Sequence, residues 1–372
     1  MQARAGFFLF ASRLCLSIFL SSGPGSDAAA QVSSDSSSLR GKELYEKACA
    51  RCHGSDGKGD RTDIQLDARL PNFARCAESA EEPDDQWRLI IEKGGVVFGL
   101  SPQMPAYGDV LTREQIDSLL LHMREFCQDR RWVRGELNFQ RALFTEKAYP
   151  ENEIVVGPRL RRSKEEGAGF VWTNLLERRI GPRTEVEFSL PLTSARVDPA
   201  GPRHHGVGDI EIGVKQVLFS SLSHRFILSS GLEVSLPTGA DENGLGAGTT
   251  KFEPFVALGK EMRGWVAQGS LKMELPTDTG KAEREFAYSL AIGYPMFLIG
   301  GVRDLFLTLE VVGSRELKRG ERNEVALVPQ IRLPIDRMGR WAFAIGPFLP
   351  VSRGSNLRPG FAAYLLWEYL GR

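Results

Sequence analysis

The sequence predicts a chain of two unlike domains: an all-α unit over residues 40–130, then an antiparallel β-barrel of about twelve strands over residues 152–372, of the type that spans an outer membrane. Three observations carry this. Apolar residues recur at helical spacing up to about Arg131 and at every second position from about Asn152 onward. The strands so defined keep charged side chains mid-strand on one face and apolar side chains on the other. Aromatic residues stand at strand ends, where an interfacial girdle belongs.

The 372 residues are 42% hydrophobic, enough for two cores, and carry 47 basic and 47 acidic side chains. That balance gives no reason to expect nucleic acid as a partner. No uncharged apolar run in the mature region reaches the length of a membrane helix, a test that says nothing about barrel strands. At the N-terminus Arg4 precedes an apolar stretch interrupted by Arg13, and Ala28 and Ala30 fit a small-residue cleavage rule. Residues 1–30 are therefore expected to be an export leader, the alternative being an uncleaved anchor, with Ser-rich residues 31–39 as a spacer. Cys15 would leave with the leader, and export would permit disulfides between the remaining cysteines.

In the helical part, Leu44, Tyr45 and Ala48 share one face of a first helix. A second is predicted over Asp84 to Lys93, where Trp87, Ile90 and Ile91 form the stripe and Gly94-Gly95 end it. A third runs from Thr112 to Cys127, opened by a Thr112/Gln115 capping box and continued by Ile116, Leu119, Leu120 and Met123. Residues 131–151 are assigned as the connection between the halves.

In the second part, TEVEFSLPL alternates Val186, Phe188, Leu190 and Leu192 with Glu185, Glu187, Ser189 and Pro191. The pattern recurs in segments beginning near Asp209, Phe226, Trp265, Phe286, Asp304, Asn323, Trp341 and Gly360, with weaker candidates near Ile154, Val171 and Phe252. Glu187, Glu211, Glu233, Lys272, Glu274, Glu310 and Arg332 lie on the polar face. In a soluble barrel that face would be the solvated outside; in a membrane barrel it lines the lumen. Trp265, Tyr294, Trp341, Trp367 and Tyr369 at strand ends favour the membrane arrangement.

Cys49-Ala50-Arg51-Cys52-His53 is C-x-x-C-H, the spacing that attaches c-type haem. Two thiols on one helical turn can add to the two haem vinyl groups, which leaves the adjacent His53 as proximal iron ligand. Zinc would require a second ligand pair at similar spacing, and a thioredoxin-like redox pair would require a βαβ context; neither is found. Met104, in a Pro-flanked loop before the last helix, is the best sixth ligand, its alternative being a core filler. His122 and Met123 are rivals, though Met123 continues its helix's apolar stripe.

Residues 40 to 130, with GKELYEKACARCHGSDGKGD and MPAYGDVLT, resemble a class I cytochrome c. The resemblance implies one covalently attached haem c, bound through Cys49 and Cys52, with its iron held by His53 and Met104. The remainder is similar to the outer-membrane barrels grouped with the phenol meta-cleavage pathway, through GDIEIGVKQVLF, SGLEVSLPTG and GLGAGTTKFEPF. Together they imply an electron carrier in the periplasm, tethered to the outer membrane and meeting periplasmic redox proteins. Iron ligated on both faces has no open site, so no enzymatic role is expected. The alternatives are a transporter for a small organic solute with the haem domain as sensor or accessory, and a peroxidase-like enzyme acting once Met104 dissociates.

Cys76 and Cys127 are expected either to form a disulfide or to remain as two buried thiols. Gly244 to Gly248, GLGAG, is read as a solvent loop rather than a phosphate loop, His204-His205 as exposed turn residues, and Arg159 to Gly167 as a charged turn.

Overall fold

The computed structural model describes residues 40–60, 64–163, 167–197, 201–297, 304–353 and 356–369. The expected leader and spacer lie outside the described residues. The N-terminal domain has helix α1 over residues 40–48, α2 over Ala50–His53, α3 over Cys76–Ser79, α4 over Asp84–Lys93 and α5 over Arg113–Glu125. Helix α4 has the predicted bounds and stops at Gly94, whose φ of 75° lies in the region open to glycine. Helix α5 opens with the predicted capping box, Thr112 Oγ1 accepting from Gln115 N and Gln115 Oε1 accepting from Thr112 N. It ends at Glu125, before the expected Cys127, which instead forms a disulfide with Cys76. Tyr45, Trp87, Ile91, Ile116, Leu119, Leu120 and Met123 make the core. Helix α1 crosses α5 so closely that a Cβ at Gly41 would overlap the Ser118 carbonyl.

The second domain is a closed antiparallel wall: β1 Asn152–Ser163, β2 Gly167–Arg179, β3 Thr184–Ala195, β4 His204–Val207, β5 Ile210–Ser221, β6 Phe226–Leu236, β7 Lys251–Met262, β8 Trp265–Pro276, β9 Glu285–Phe297, β10 Asp304–Glu316, β11 Glu324–Pro334, β12 Trp341–Pro350 and β13 Leu357–Glu368. Strand β3 pairs with β4 through Leu192↔Val207 and with β5 through Ser189↔Glu211, so β4 and β5 form one stave broken at Gly208. Closure comes from β13 returning to β1, with Glu153 opposite Glu368. The barrel therefore has twelve staves, the expected number. His204 and His205 belong to strand β4 rather than to a turn, and Arg159 continues β1, because the ladders extend past the wall's midsection.

Burial decides which way the wall faces. In β3, Glu185, Glu187 and Ser189 are buried, while Val186, Phe188 and Leu192 are 37%, 41% and 45% exposed. Apolar side chains point out and charged ones in, the arrangement for lipid. The exposed rings of Trp265, Tyr294, Trp341 and Trp367 gather at one rim, where β1 begins and β13 ends. There Trp265 packs on Tyr294 at 4.9 Å and Trp341 stacks on Trp367 at 5.5 Å.

The segment read as a connection does more than connect. Val133, Leu137, Phe139, Leu143, Thr145, Lys147, Ala148, Tyr149 and Glu151 are all buried inside the barrel. They meet the wall on every side: Gln140 O accepts from Gln268 on β8, and Ala148 O accepts from Ser229 on β6. Glu310 on β10 accepts from Phe144 N, Thr145 N and Thr145 Oγ1, while Tyr364 on β13 donates to Arg141 O. Residues 133–151 thus form a plug threaded through the lumen, its buried backbone groups satisfied by the wall.

The helical domain docks on the rim where β1 begins. Arg337 donates to Val97 O at 3.0 Å, Asn152 Nδ2 donates to Glu81, and Gly135 N, at the head of the plug, donates to Ala80 O at 2.7 Å. Burial raises the Glu81 carboxyl to about 8, opposed by Arg179 and reinforced by Glu368 and Glu82. A folded-state value above the unfolded one gives stability that is full below the ordinary carboxyl range and is lost as pH rises through about 8. Above pH 8 the Gly135 amide should therefore exchange faster in the native protein than in Glu81→Gln at the same pH, with no difference near pH 5. Identical exchange across the range would show that Glu81 does not govern the docking.

Candidate haem site

The C-x-x-C-H residues sit where α1 turns into α2. Cys52 N and His53 N both donate to Cys49 O, at 3.1 and 2.9 Å, which wraps the three residues into one turn. Gly54, at φ 78°, ends it, and its carbonyl accepts from the buried Tyr45 hydroxyl at 2.9 Å. Cys49 and Cys52 are free thiols, half-buried and side by side. Burial, then Cys52, raises the Cys49 thiol to about 11, while burial lowers the His53 imidazole to about 4, so His53 is neutral near pH 7 and able to ligate. Its ring stacks on Phe73 at 5.1 Å, and its buried Nδ1 has no partner.

Met104 is half-buried against the same core cluster as Cys49, Tyr107 and Leu111. Its loop is clamped from several directions. Met104 O accepts from Gly95 N at 3.0 Å, Gln103 Oε1 accepts from Asp67 N at 2.9 Å, and Tyr107 OH reaches across to Ala48 O at 2.9 Å, in the turn before Cys49. The two rivals are otherwise engaged. Met123 is buried in the core, and His122 Nδ1 lies 3.0 Å from Glu125 with its ring against Tyr45 and Phe126. The residues present fit a haem: two adjacent thiols, a buried imidazole with an unsatisfied nitrogen, and a thioether held against the same apolar cluster.

Comparison with protein families agrees with both halves. Residues 37–123 match the family described as cytochrome c oxidase, cbb3-type, subunit III, and residues 155–337 match that described as the MetA-pathway of phenol degradation. The chain is a cytochrome-type domain joined to an outer-membrane barrel, each similar to the family it matches. Among solved structures, an outer membrane channel from Pseudomonas putida F1 aligns at 12% identity and TM-score 0.46, over 62% of this chain and 100% of that one. The NanC porin aligns at 9% and 0.41 over 58% of this chain and 100% of its own, and the KdgM porin in complex with disordered oligogalacturonate at 8% and 0.39 over 58% and 99%. A search of curated proteins finds no match.

The structure brings Cys49, Cys52, His53 and Met104 around one apolar cluster, whereas sequence reasoning missed what lies below the cytochrome domain. Arg124 bonds the carbonyls of Ser79 and Glu82, and its guanidinium lies 3.8 Å over the Trp87 ring. The disulfide ties α3 to the chain leaving α5, four residues before the docking turn on one side and just before the plug on the other. The only sequence signal for the plug was its mixture of Phe, Leu and Tyr with Arg, Glu and Lys, too polar for a core strand and too apolar for a free linker.

Loss of the disulfide through Cys76→Ser with Cys127→Ser should destabilise the cytochrome domain by about 2–4 kcal/mol. Gly41→Val, which must push α1 off the Ser118 carbonyl, should cost a comparable amount. Denaturant unfolding followed by Trp87 fluorescence checks both; wild-type midpoints would refute the packing described.

Proposed function

We propose that the chain is a one-electron carrier whose cytochrome domain holds a single covalent haem c and is fixed at the periplasmic mouth of an outer-membrane barrel. One observation carries the reading. In a domain whose other two cysteines are joined as a disulfide, Cys49 and Cys52 are left outside any disulfide, on the turn that also buries an unpartnered His53. Cys49 and Cys52 would attach the group and His53 and Met104 would ligate its iron; the bound group would supply a one-electron redox centre.

The chain's own residues set the conditions for that. Burial keeps the His53 imidazole unprotonated, and Tyr45, through Gly54, fixes the turn on which it sits. The clamps on Gln103 and Tyr107 hold the Met104 loop, so ligation costs little ordering. Keeping the thioether in place favours electron transfer over chemistry at the metal, so an enzymatic role is not proposed. The rim carrying the domain is the one where the barrel strands begin and end, which in even-stranded barrels is periplasmic. Soluble redox proteins there would be the partners.

A second reading, passage of a small organic solute, is favoured by the family match of the barrel. It requires the plug to leave the lumen, and it predicts flux that does not depend on haem.

An optical spectrum of the detergent-solubilised protein tests the first reading. The resting protein should be low-spin with a weak methionine-to-iron band, Met104→Ala should lose that band, and Cys49→Ser with Cys52→Ser should release haem on denaturation. A high-spin resting spectrum, or an unchanged Met104→Ala, would transfer the argument to the enzyme or sensor.

A further inference from the structure

The lipid-facing stripe of the barrel runs past the ends of its strands. Leu333, on the outer face of β11, is exposed, and Ile335, just beyond the strand, is 59% exposed. Ile335 N donates to Trp341 O at 2.8 Å, and Trp341 stacks on Trp367 in the girdle. The stripe therefore reaches the depth of the lipid headgroups, where interfacial rings sit.

The cytochrome domain leans on this same turn. Arg337 donates to Val97 O, and Gln86 of α4 lies 3.9 Å from Met338 Sδ. Val97 belongs to a 3₁₀ turn, Val96–Phe98, closed by Gly99 at φ 69°. The turn buries Phe98 but leaves Val96 61% and Leu100 39% exposed, and a Cβ added at Gly99 would meet nothing. Its shape is fixed from behind: Gly95 O accepts from Phe98 N and Leu100 N, and Gly95 N donates to Met104 O. A rigid turn that holds apolar side chains outward costs free energy until something covers them.

The surroundings favour lipid as the cover. Lys93, just before the turn, and Arg337, against it, are both exposed. Apolar tips accompanied by cations are what a surface needs to sit in a headgroup layer, with the tips below the phosphates and the cations level with them. A soluble protein would have to displace the headgroups beside Trp341 to reach the same residues.

We propose that residues 96–100 are a membrane foot, resting in the phospholipid headgroup layer of the leaflet beside Trp341 and Trp367. With the docking of Gly135 on Ala80, the foot gives the cytochrome domain a second support. It goes beyond the electron-carrier reading and does not depend on it.

The test uses the full-length protein in nanodiscs of phosphatidylethanolamine and phosphatidylglycerol, doped with a phospholipid that carries a photoactivated diazirine next to its glycerol. Adducts are mapped by peptide mass spectrometry. They should fall on residues 95–100 and on the segment around Trp341, and be absent from α1, whose exposed face is Lys42, Glu43, Glu46 and Lys47. Val96→Asp with Leu100→Asp should lower the yield on residues 95–100 roughly fivefold or more and leave that around Trp341 unchanged. Heat-modifiable gel mobility verifies that the variant is a folded barrel. A labelled girdle with residues 95–100 bare, or an unchanged yield in the double variant, overturns the foot. An amine cross-link from Lys93 to a second copy would assign the turn to a protein interface and overturns it equally. The readout involves no haem, so either failure leaves the electron-carrier reading standing.

Discussion

Lipid offers no hydrogen bonds, and the second half of this protein is arranged around that fact. Apart from the short β4, which pairs with β3 alone, each wall strand pairs on both edges, and β13 closes on β1, so the ladder runs round the wall without a break. The same constraint sorts the side chains. Val186, Phe188 and Leu192 can face acyl chains, so Glu185, Glu187 and Ser189, one residue out of phase, must face the lumen. A narrow barrel with inward-facing carboxylates then needs a filling that brings cations and donors with it. The plug does so: Arg141 and Lys147 meet the acids of β1 and β2, and the plug's own amides meet Glu185 and Glu310.

The plug also fixes the cytochrome domain. It leaves α5 through the disulfide-bound Cys127, passes Gly135 against Ala80, and enters the lumen at the rim that bears the Trp and Tyr side chains. The haem-type site is thus attached to the barrel by a rigid path rather than a flexible tether. Arg124 joins the two ends of this path, since it supports the 79–82 turn from below and covers Trp87 of the core. Domain position and lumen filling are consequences of one segment's folding.

Much of this was legible in the sequence. The C-x-x-C-H spacing, the Met104 loop, the α4 bounds and the Thr112 capping box are local patterns, and local hydrogen bonding decides them. The strand count was legible too, because period-2 alternation is a property of each strand by itself. The aromatic girdle was only half legible: alternation places Trp265 and Trp341 at strand ends, but the antiparallel order brings them to the same rim.

The sequence by itself determined which residues are candidates for a haem and how many times the chain crosses the wall, since motif spacing and side-chain period act within a few residues. Only the tertiary structure decided that Cys76 meets Cys127, that residues 133–151 fill the lumen, and that Glu146 of the plug meets Lys215 of the wall. Those meetings are between distant segments, and they depend on closure of the barrel, which no stretch of the chain encodes locally.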